Sequence, residues 1–247
     1  MDAGGLSDHG AALKSNSILK GYGMRKIETQ IQSASLDRLV YHVDESTPDF
    51  LIQWFNEWLD PYVNSSDSIV ANQYLQLGFT YLRVSIQQKT MMLQAPDFVQ
   101  YPIRWVDDLY PALHVVTQHK YVPQSYGLNL DIPSMHDTAI VGENFERYPM
   151  FMTRSEKEPN TDHSGWFIAS LSDEVDNSDE GKLRIMSLYE AVIQAPHLVS
   201  YLSMPESSQI VFEESLPVIM FRNQVLEAQT GSYVDIAISR QREAPHL

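Results

Sequence analysis

The chain of 247 residues carries 32 Asp and Glu against 17 Lys and Arg, a formal net charge of -15. Such an excess of carboxylates argues against direct nucleic-acid binding, where Lys and Arg must neutralise phosphates, and makes a basic partner the natural complement. A composition that is 43% hydrophobic and 11% aromatic excludes global disorder, and the absence of cysteine excludes a disulfide framework, a thiolate metal site and a cysteine nucleophile.

Residues 1–25 are rich in Gly and Ser and read as a loosely held arm. Lys14, Lys20 and Arg25 are not followed by the run of about 7 to 15 apolar residues that forms a signal-peptide core. Nor does any uncharged apolar stretch approach the roughly 18 residues of a membrane span. A soluble, cytoplasmic protein without membrane contact is the expectation.

The first firm element starts at Ser46-Thr47-Pro48-Asp49, where a hydroxyl N-cap, Pro at the first helical position and an acid in the first turn coincide. Phe50, Leu51, Trp54, Phe55, Trp58 and Leu59 recur at helical spacing, with Pro61 as the stop. The aromatic face predicts a buried helix with Trp54 in the core. Leu75, Leu77, Phe79 and Tyr81 alternate, the phase slips, and Leu82, Val84 and Ile86 alternate again, which predicts one long strand with a bulge. Gln87-Gln88-Lys89 then predicts a hairpin. Short helices are expected over 105–109 and 112–119, and a connection over 121–133, marked by Pro123, Gly127 and Pro133.

Beyond that connection the composition shifts, from 12 acids and 6 bases in 26–134 to 18 and 8 in 135–247. Strands are expected at 139–141, 148–153, 166–168, 209–212, 218–221 and 233–239, and a helix at 187–194. Strands mixed irregularly with short helices predict an α+β fold. The expected organisation is the arm, a module over 26–134 and a second over 135–247, each a mixed or antiparallel sheet with short helices.

Signatures of catalysis are missing: no G-x-S-x-G elbow, phosphate loop, dinucleotide motif or H-E-x-x-H is present. His114 and His119 are five apart, on different faces of a helix, a poor metal pair. Asp107 and Asp108 could be read as general acid and base, but adjacent helical residues diverge, and solvated N-terminal acids explain them better. The stretch Asp173-Glu174-Val175-Asp176-Asn177-Ser178-Asp179-Glu180-Gly181 invites a calcium-loop reading, in which Ser187 would fall where a bidentate Glu is needed. No metal or other cofactor is therefore expected. Crowded carboxylates suit either a solvated loop or docking to a basic partner. The candidate partner-binding set is Asp173, Glu174, Asp176, Asp179 and Glu180, with Glu156, Glu158 and Asp162 as rim residues.

A more specific constellation runs through 138–222. Met150-Phe151-Met152-Thr153-Arg154, then Ser164-Gly165-Trp166, Ser172-Asp173-Glu174, and finally Pro196, Leu198, Tyr201, Leu202 and Pro205 together resemble a small Asp-Ser-Gly-Trp family of immunity proteins from bacterial polymorphic toxin systems. Two departures stand out: His163 separates Asp162 from Ser164, and Ser207-Ser208 occupies a place where glycine is usual. Residues 26–134 also resemble the companion region of two-domain type VI secretion immunity proteins, through Trp54-Phe55-Asn56-Glu57-Trp58, Leu75-Gln76-Leu77-Gly78 and Asp137-Thr138-Ala139-Ile140-Val141-Gly142.

The resemblance implies a non-catalytic protein that neutralises a cognate toxin effector, with a cytosol-acting nuclease of basic surface as the candidate toxin. In structural terms it implies that Gly165 makes a tight turn and Trp166 plugs the core. A secretion adaptor for the same toxin and a hydrolase using acidic residues are the rival expectations.

Overall fold

Alternation of apolar and polar residues over short runs builds two sheets, seen in a computed structural model that describes residues 23–31, 35–64, 69–157, 159–172, 174–213 and 216–243. The first 22 residues of the expected arm lie outside the described residues; Met24 and Arg25, at its end, already belong to a strand.

The first sheet comprises β1 (Met24–Gln30), β2 (Arg38–Asp44), β3 (Tyr74–Leu77), β4 (Thr80–Gln87), β5 (Thr90–Pro96) and β6 (Trp105–Val106), with α1 (Asp49–Val63) between β2 and β3. Its order is β1-β2-β5-β4-β3, with β6 added to β5. Leu39, Tyr41, Val43, Leu82, Val84, Met91 and Leu93 turn one face into a core closed by α1. The opposite face is mixed: Val40 and Met92 pair on it, Arg83 pairs across to Gln94 and donates from Nε to its Oε1 at 3.0 Å, and Gln94 Nε2 donates to Asp107 at 2.9 Å.

Several expectations change here. Pro48, not a hydroxyl residue, caps α1, because the Ser46 hydroxyl is drawn to Asp44 and the Thr47 hydroxyl is buried without a partner. Pro61 does not stop the helix, which continues to Val63 so that Leu59 and Val63 stay in the core. The buried stripe is Leu51, Ile52, Phe55, Leu59 and Val63, which leaves Trp54 and Trp58 half-buried on its flank and Phe50 exposed. The run is two strands and not one bulged strand: the slip between Tyr81 and Leu82 reflects a two-residue turn at Gly78-Phe79 that divides β3 from β4. Gly78 takes the positive φ of +57° that the turn requires, and Phe79 is sent into the second core. Residues 105–106 form β6 instead of a helix, paired to Ala95 and Pro96.

Helix α2 (Tyr110–Ser125) is longer at both ends than its expected span, and takes in the first five residues of the expected connection. Asp108 accepts from the Tyr110 N–H at 2.9 Å, and Pro lies at the start, where its missing N–H costs nothing. Ala112 and Leu113 face the first core, and Val115 and Val122 face the second.

The second sheet comprises β7 (Thr138–Val141), β8 (Met150–Arg154), β9 (His163–Ser170), β10 (Arg184–Ser187), β11 (Ser208–Phe212), β12 (Val218–Phe221) and β13 (Gln224–Leu226). The order is β10-β7-β9-β8-β11-β12-β13, antiparallel except for β7 beside β9. Helix α3 (Leu188–Gln194), opened by a reciprocal Ser187/Glu190 capping box, packs on the inner face with the short 3-10 helix Pro196–Tyr201 and α2. Residues 233–239, expected as a strand, belong to α4 (Tyr233–Glu243). The alternating Val234, Ile236 and Ile238 mimic a strand, but the chain end is held helically: the Val234 N–H donates to Ser125 Oγ and Tyr233 stacks on Tyr121. The whole is an α+β fold, as its composition of elements predicts. Among the described residues no helix is long and apolar enough to cross a membrane.

His119 on α2 lies inside the second core. Its Nε2 donates to the Val199 carbonyl at 2.6 Å, which leaves Nδ1 as a buried lone pair without a donor. Burial pushes this histidine down to about 4, with the Arg154 charge acting in the same direction; burial does the same to His197. In both, the unfolded chain takes up its proton first, so their stabilising contribution is complete above pH 6.5 and is lost as pH falls towards 4. Each should remove up to about 1.4 kcal/mol of stability per pH unit within that window. Urea denaturation at pH 7.0, 6.0 and 5.5 should show this slope, and His119→Gln should flatten it.

A division near residue 134 remains a proposal. If it holds, a fragment of residues 135–247 unfolds cooperatively by itself. Its midpoint should lie below that of the full chain, because Phe79, Val115 and Val122 no longer close its core. The loss is roughly 1.5–3 kcal/mol per large apolar side chain. A gradual, non-cooperative melt of the fragment would place the unit boundary upstream of α2.

Candidate functional site

Three pieces of the immunity-family resemblance, Met150–Arg154, Ser164-Gly165-Trp166 and the 196–205 step, converge on Arg154, whereas Ser172 and Glu174 lie beyond the other end of β9. The Arg154 side chain is 98% buried at the end of β8. Its guanidinium donates to the carbonyls of Asp131 (2.7 Å), Ser164 (3.2 Å), Leu202 (3.4 Å) and Met204 (2.6 Å). It also pairs with the Asp131 carboxylate at 3.1 Å and lies over the Trp166 ring. Trp166 is fully buried, and its Nε1 donates to Leu202 O at 3.1 Å. Burial pushes the guanidinium pKa down, and the charges of Asp131, Asp137 and Glu206 hold it up.

Gly165, expected in a tight turn, sits in an irregularity of the β7–β9 register within β9. Its φ is +83°, and a Cβ there would stand 2.3 Å from the Ser155 carbonyl oxygen. Both departures from the family pattern have visible accommodations. His163 Nδ1 accepts from the Gly165 N–H at 3.0 Å, and Ser207 takes φ +67° at the place where glycine is usual. These groups bond to one another within the fold, so the motif is a structural knot.

The predicted partner-binding acids fall at two ends of the second sheet. Asp173 and Glu158 lie outside the described residues. Glu174, Asp176, Asp179 and Glu180 are exposed in the loop that follows β9, whereas Glu156 and Asp162 are exposed in the loop that precedes it. The seven steps of β9 between them span about 23 Å, so the structure does not bring the two groups together. Two of the acids also serve the loop itself. Asp176 accepts from the N–H and hydroxyl of Ser178, which lowers its pKa, and Asp179 caps the short turn Glu180–Lys182 through Gly181 N–H.

Strand directions bring other acids to the same end. Turn 142–149 and the segments after β11 and β13 also lie where β9 finishes. They add exposed Glu143, Glu213 and Glu227. Glu143 of these faces Lys182 at 3.8 Å.

The outer face of this sheet is the feature that the sequence reading missed. One register row crosses all seven strands as Ile185, Ile140, Phe167, Thr153, Gln209, Met220 and Val225. A second row, nearer the acidic end, holds Ala169, Phe151, Val211 and Val218. The Phe151 and Phe167 rings are 5.8 Å apart. Ile185 is 76% and Val225 65% exposed; Ile140, Phe151, Phe167, Val211 and Met220 are partly exposed. The acidic loop bends onto this face, for Asn177 lies beside Gly142 and Ala169 and its Nδ2 donates to Ser170 O. The signal was present in the strands themselves: FMT, WFIA, IVF and VIMF are apolar at both alternating sets.

Asp107 and Asp108, the hydrolase candidates, are held apart by their partners. Asp107 is exposed and accepts from Gln94, and Asp108 is half-buried at the start of α2, where burial raises its pKa and the Asp44 charge adds to the rise. Among the described residues, no group of three His, Asp or Glu is arranged to hold a metal ion.

Residues 118–222 match the family model of the Imm33-like domain. The match begins in α2 and ends after β12, and so contains the Arg154 knot, the acidic loop and most of the outer face. This part of the chain is similar to an immunity-protein family. No curated protein and no solved structure matches the chain.

Replacing Arg154 by Met strands several buried carbonyls and should cost about 3–5 kcal/mol. Asp131→Asn should cost less than about 1 kcal/mol, because that carboxylate is 57% exposed. Chemical denaturation of the two variants separates the carbonyl cluster from the ion pair; equal losses would show that the ion pair carries the knot.

Proposed function

We propose that this chain is an immunity protein, which binds a cognate antibacterial toxin effector and blocks its active site or its assembly without catalysing a reaction. The observation that carries this reading is the Imm33-like match over the segment that holds the knot and the acidic loop. The charge of -15 supports a partner with a basic surface, such as a nuclease acting in the cytosol, and a cytoplasmic place of action for its inhibitor. Delivery of that toxin by a type VI secretion system is part of the same proposal and follows from the resemblance of 26–134.

Within this reading the loop acids Asp173, Glu174, Asp176, Asp179 and Glu180 steer the toxin. Glu156 and Asp162, at the far end of β9, would meet only a partner broad enough to span the sheet, and Glu158 is proposed as a rim residue with them. Co-expression with the toxin encoded by the adjacent reading frame should rescue growth, and the purified pair should form a complex without loss of toxin mass.

Neutralising the five loop acids to Asn and Gln keeps the Asx acceptors that shape the loop. It should slow association by about tenfold at low salt and weaken the salt dependence of the rate. Stopped-flow association at 20 and 300 mM salt is the measurement. Unchanged rates at both would leave the loop as a solvated face, and absence of any rescue by the wild-type chain would sink the immunity reading itself.

A further inference from the structure

Sheets that expose one face normally make that face polar, and in the first sheet Arg83, Ser85 and Gln94 interrupt Val40 and Met92 there. The second sheet breaks the rule. Its outer face carries Ile140 beside Phe167 and Phe151 beside Val211 in register, with Met220 diagonal to Val211 and beyond Thr153 and Gln209 in the Phe167 row. Six strand spacings of about 4.8 Å make it about 29 Å wide. A patch of that kind, contiguous and apolar, marks an interaction surface.

We infer that the outer face of the seven-stranded sheet is the toxin-docking surface, with the Phe151–Phe167 pair as its centre and the acids at the finishing end of β9 as one rim. The inference rests on the immunity reading and names the surface that reading leaves open. Charge selects the occupant. Glu143, Glu174, Asp176, Asp179 and Glu180 stand along a single end of the face, and Asn177 ties their loop to it directly. A partner that fits presents apolar side chains to the sheet and Lys or Arg to that end. This is the division of labour of specific interfaces, in which buried aromatic anchors supply affinity and rim charges supply rate and specificity. A second copy of the same acidic chain would set like charges against one another if its finishing end met this one.

The test uses the full-length chain and the toxin from the adjacent reading frame, catalytically inactivated. Phe151→Ser with Phe167→Ser should weaken the complex by about 30-fold or more, mostly through faster dissociation. The loop-acid variant should change mainly the association rate. Because both phenylalanines are partly buried, Ile140→Lys and Met220→Lys provide a second pair on the same face, and unchanged unfolding midpoints confirm that either pair is folded. Wild-type affinity in both folded pairs overturns the inference while leaving the immunity reading intact. Failure of the wild-type chain to bind or protect at all removes the reading on which it rests.

Two other outcomes also overturn it. The free chain could sediment as a dimer that Phe167→Ser dissociates, giving the face to a second copy. Alternatively, deletion of residues 1–22 could raise binding of a hydrophobic dye in the wild type but not in Phe151→Ser/Phe167→Ser, giving the face to the chain's own N-terminal segment.

Discussion

One guanidinium holds the second half of this molecule in register. Arg154 draws together carbonyls from a segment before β7, from β9 and from the chain that leaves the 3-10 helix. Buried carbonyls left without a donor are costly, and a cation out of water is costly unless its hydrogen bonds are made. Each demand meets the other here. The indole of Trp166 closes the arrangement from beneath and uses its own N–H on the same Leu202 carbonyl. The inner face of the sheet is therefore committed to holding the fold, and its outer face is free to do something else.

Much of this was legible in the sequence. Strands of the second half were marked by short apolar runs, α3 by the helical pattern of 187–194, and the fold class by irregular mixing of elements. The readings that failed share a cause. Periodicity reports which residues are apolar, and only tertiary packing decides which apolar residues are used. The Trp54 row and the Phe55 row of α1 are both apolar, and the sheet buries the second. Val234, Ile236 and Ile238 alternate, but Ser125 and Tyr121 of α2 hold the segment as a helix. The slip between Tyr81 and Leu82 could mean a bulge or a turn nearby until the Tyr74↔Arg83 pairing is seen.

The candidate site divides similarly. A run of carboxylates announces itself in any sequence, and the reading fixed on it. An outer face assembled from seven strands is invisible residue by residue, since each strand contributes only one or two side chains. Its coherence comes from register. The acids in the 142–149 turn and after β11 and β13 were likewise unconnected to the loop until strand directions brought them to one end. Glu156 and Asp162 moved the other way: near in sequence, they are separated from the loop by the length of β9.

Helix α2 serves two cores with residues as close as Leu113 and Val115. A rotation about its axis that improved one contact would open the other, so the helix acts as a keystone whose angle neither half can set alone. Under the proposed function such an arrangement favours docking. The orientational freedom that docking would otherwise have to quench is already spent when the chain folds, and the surface offered to the partner has one shape before the encounter begins.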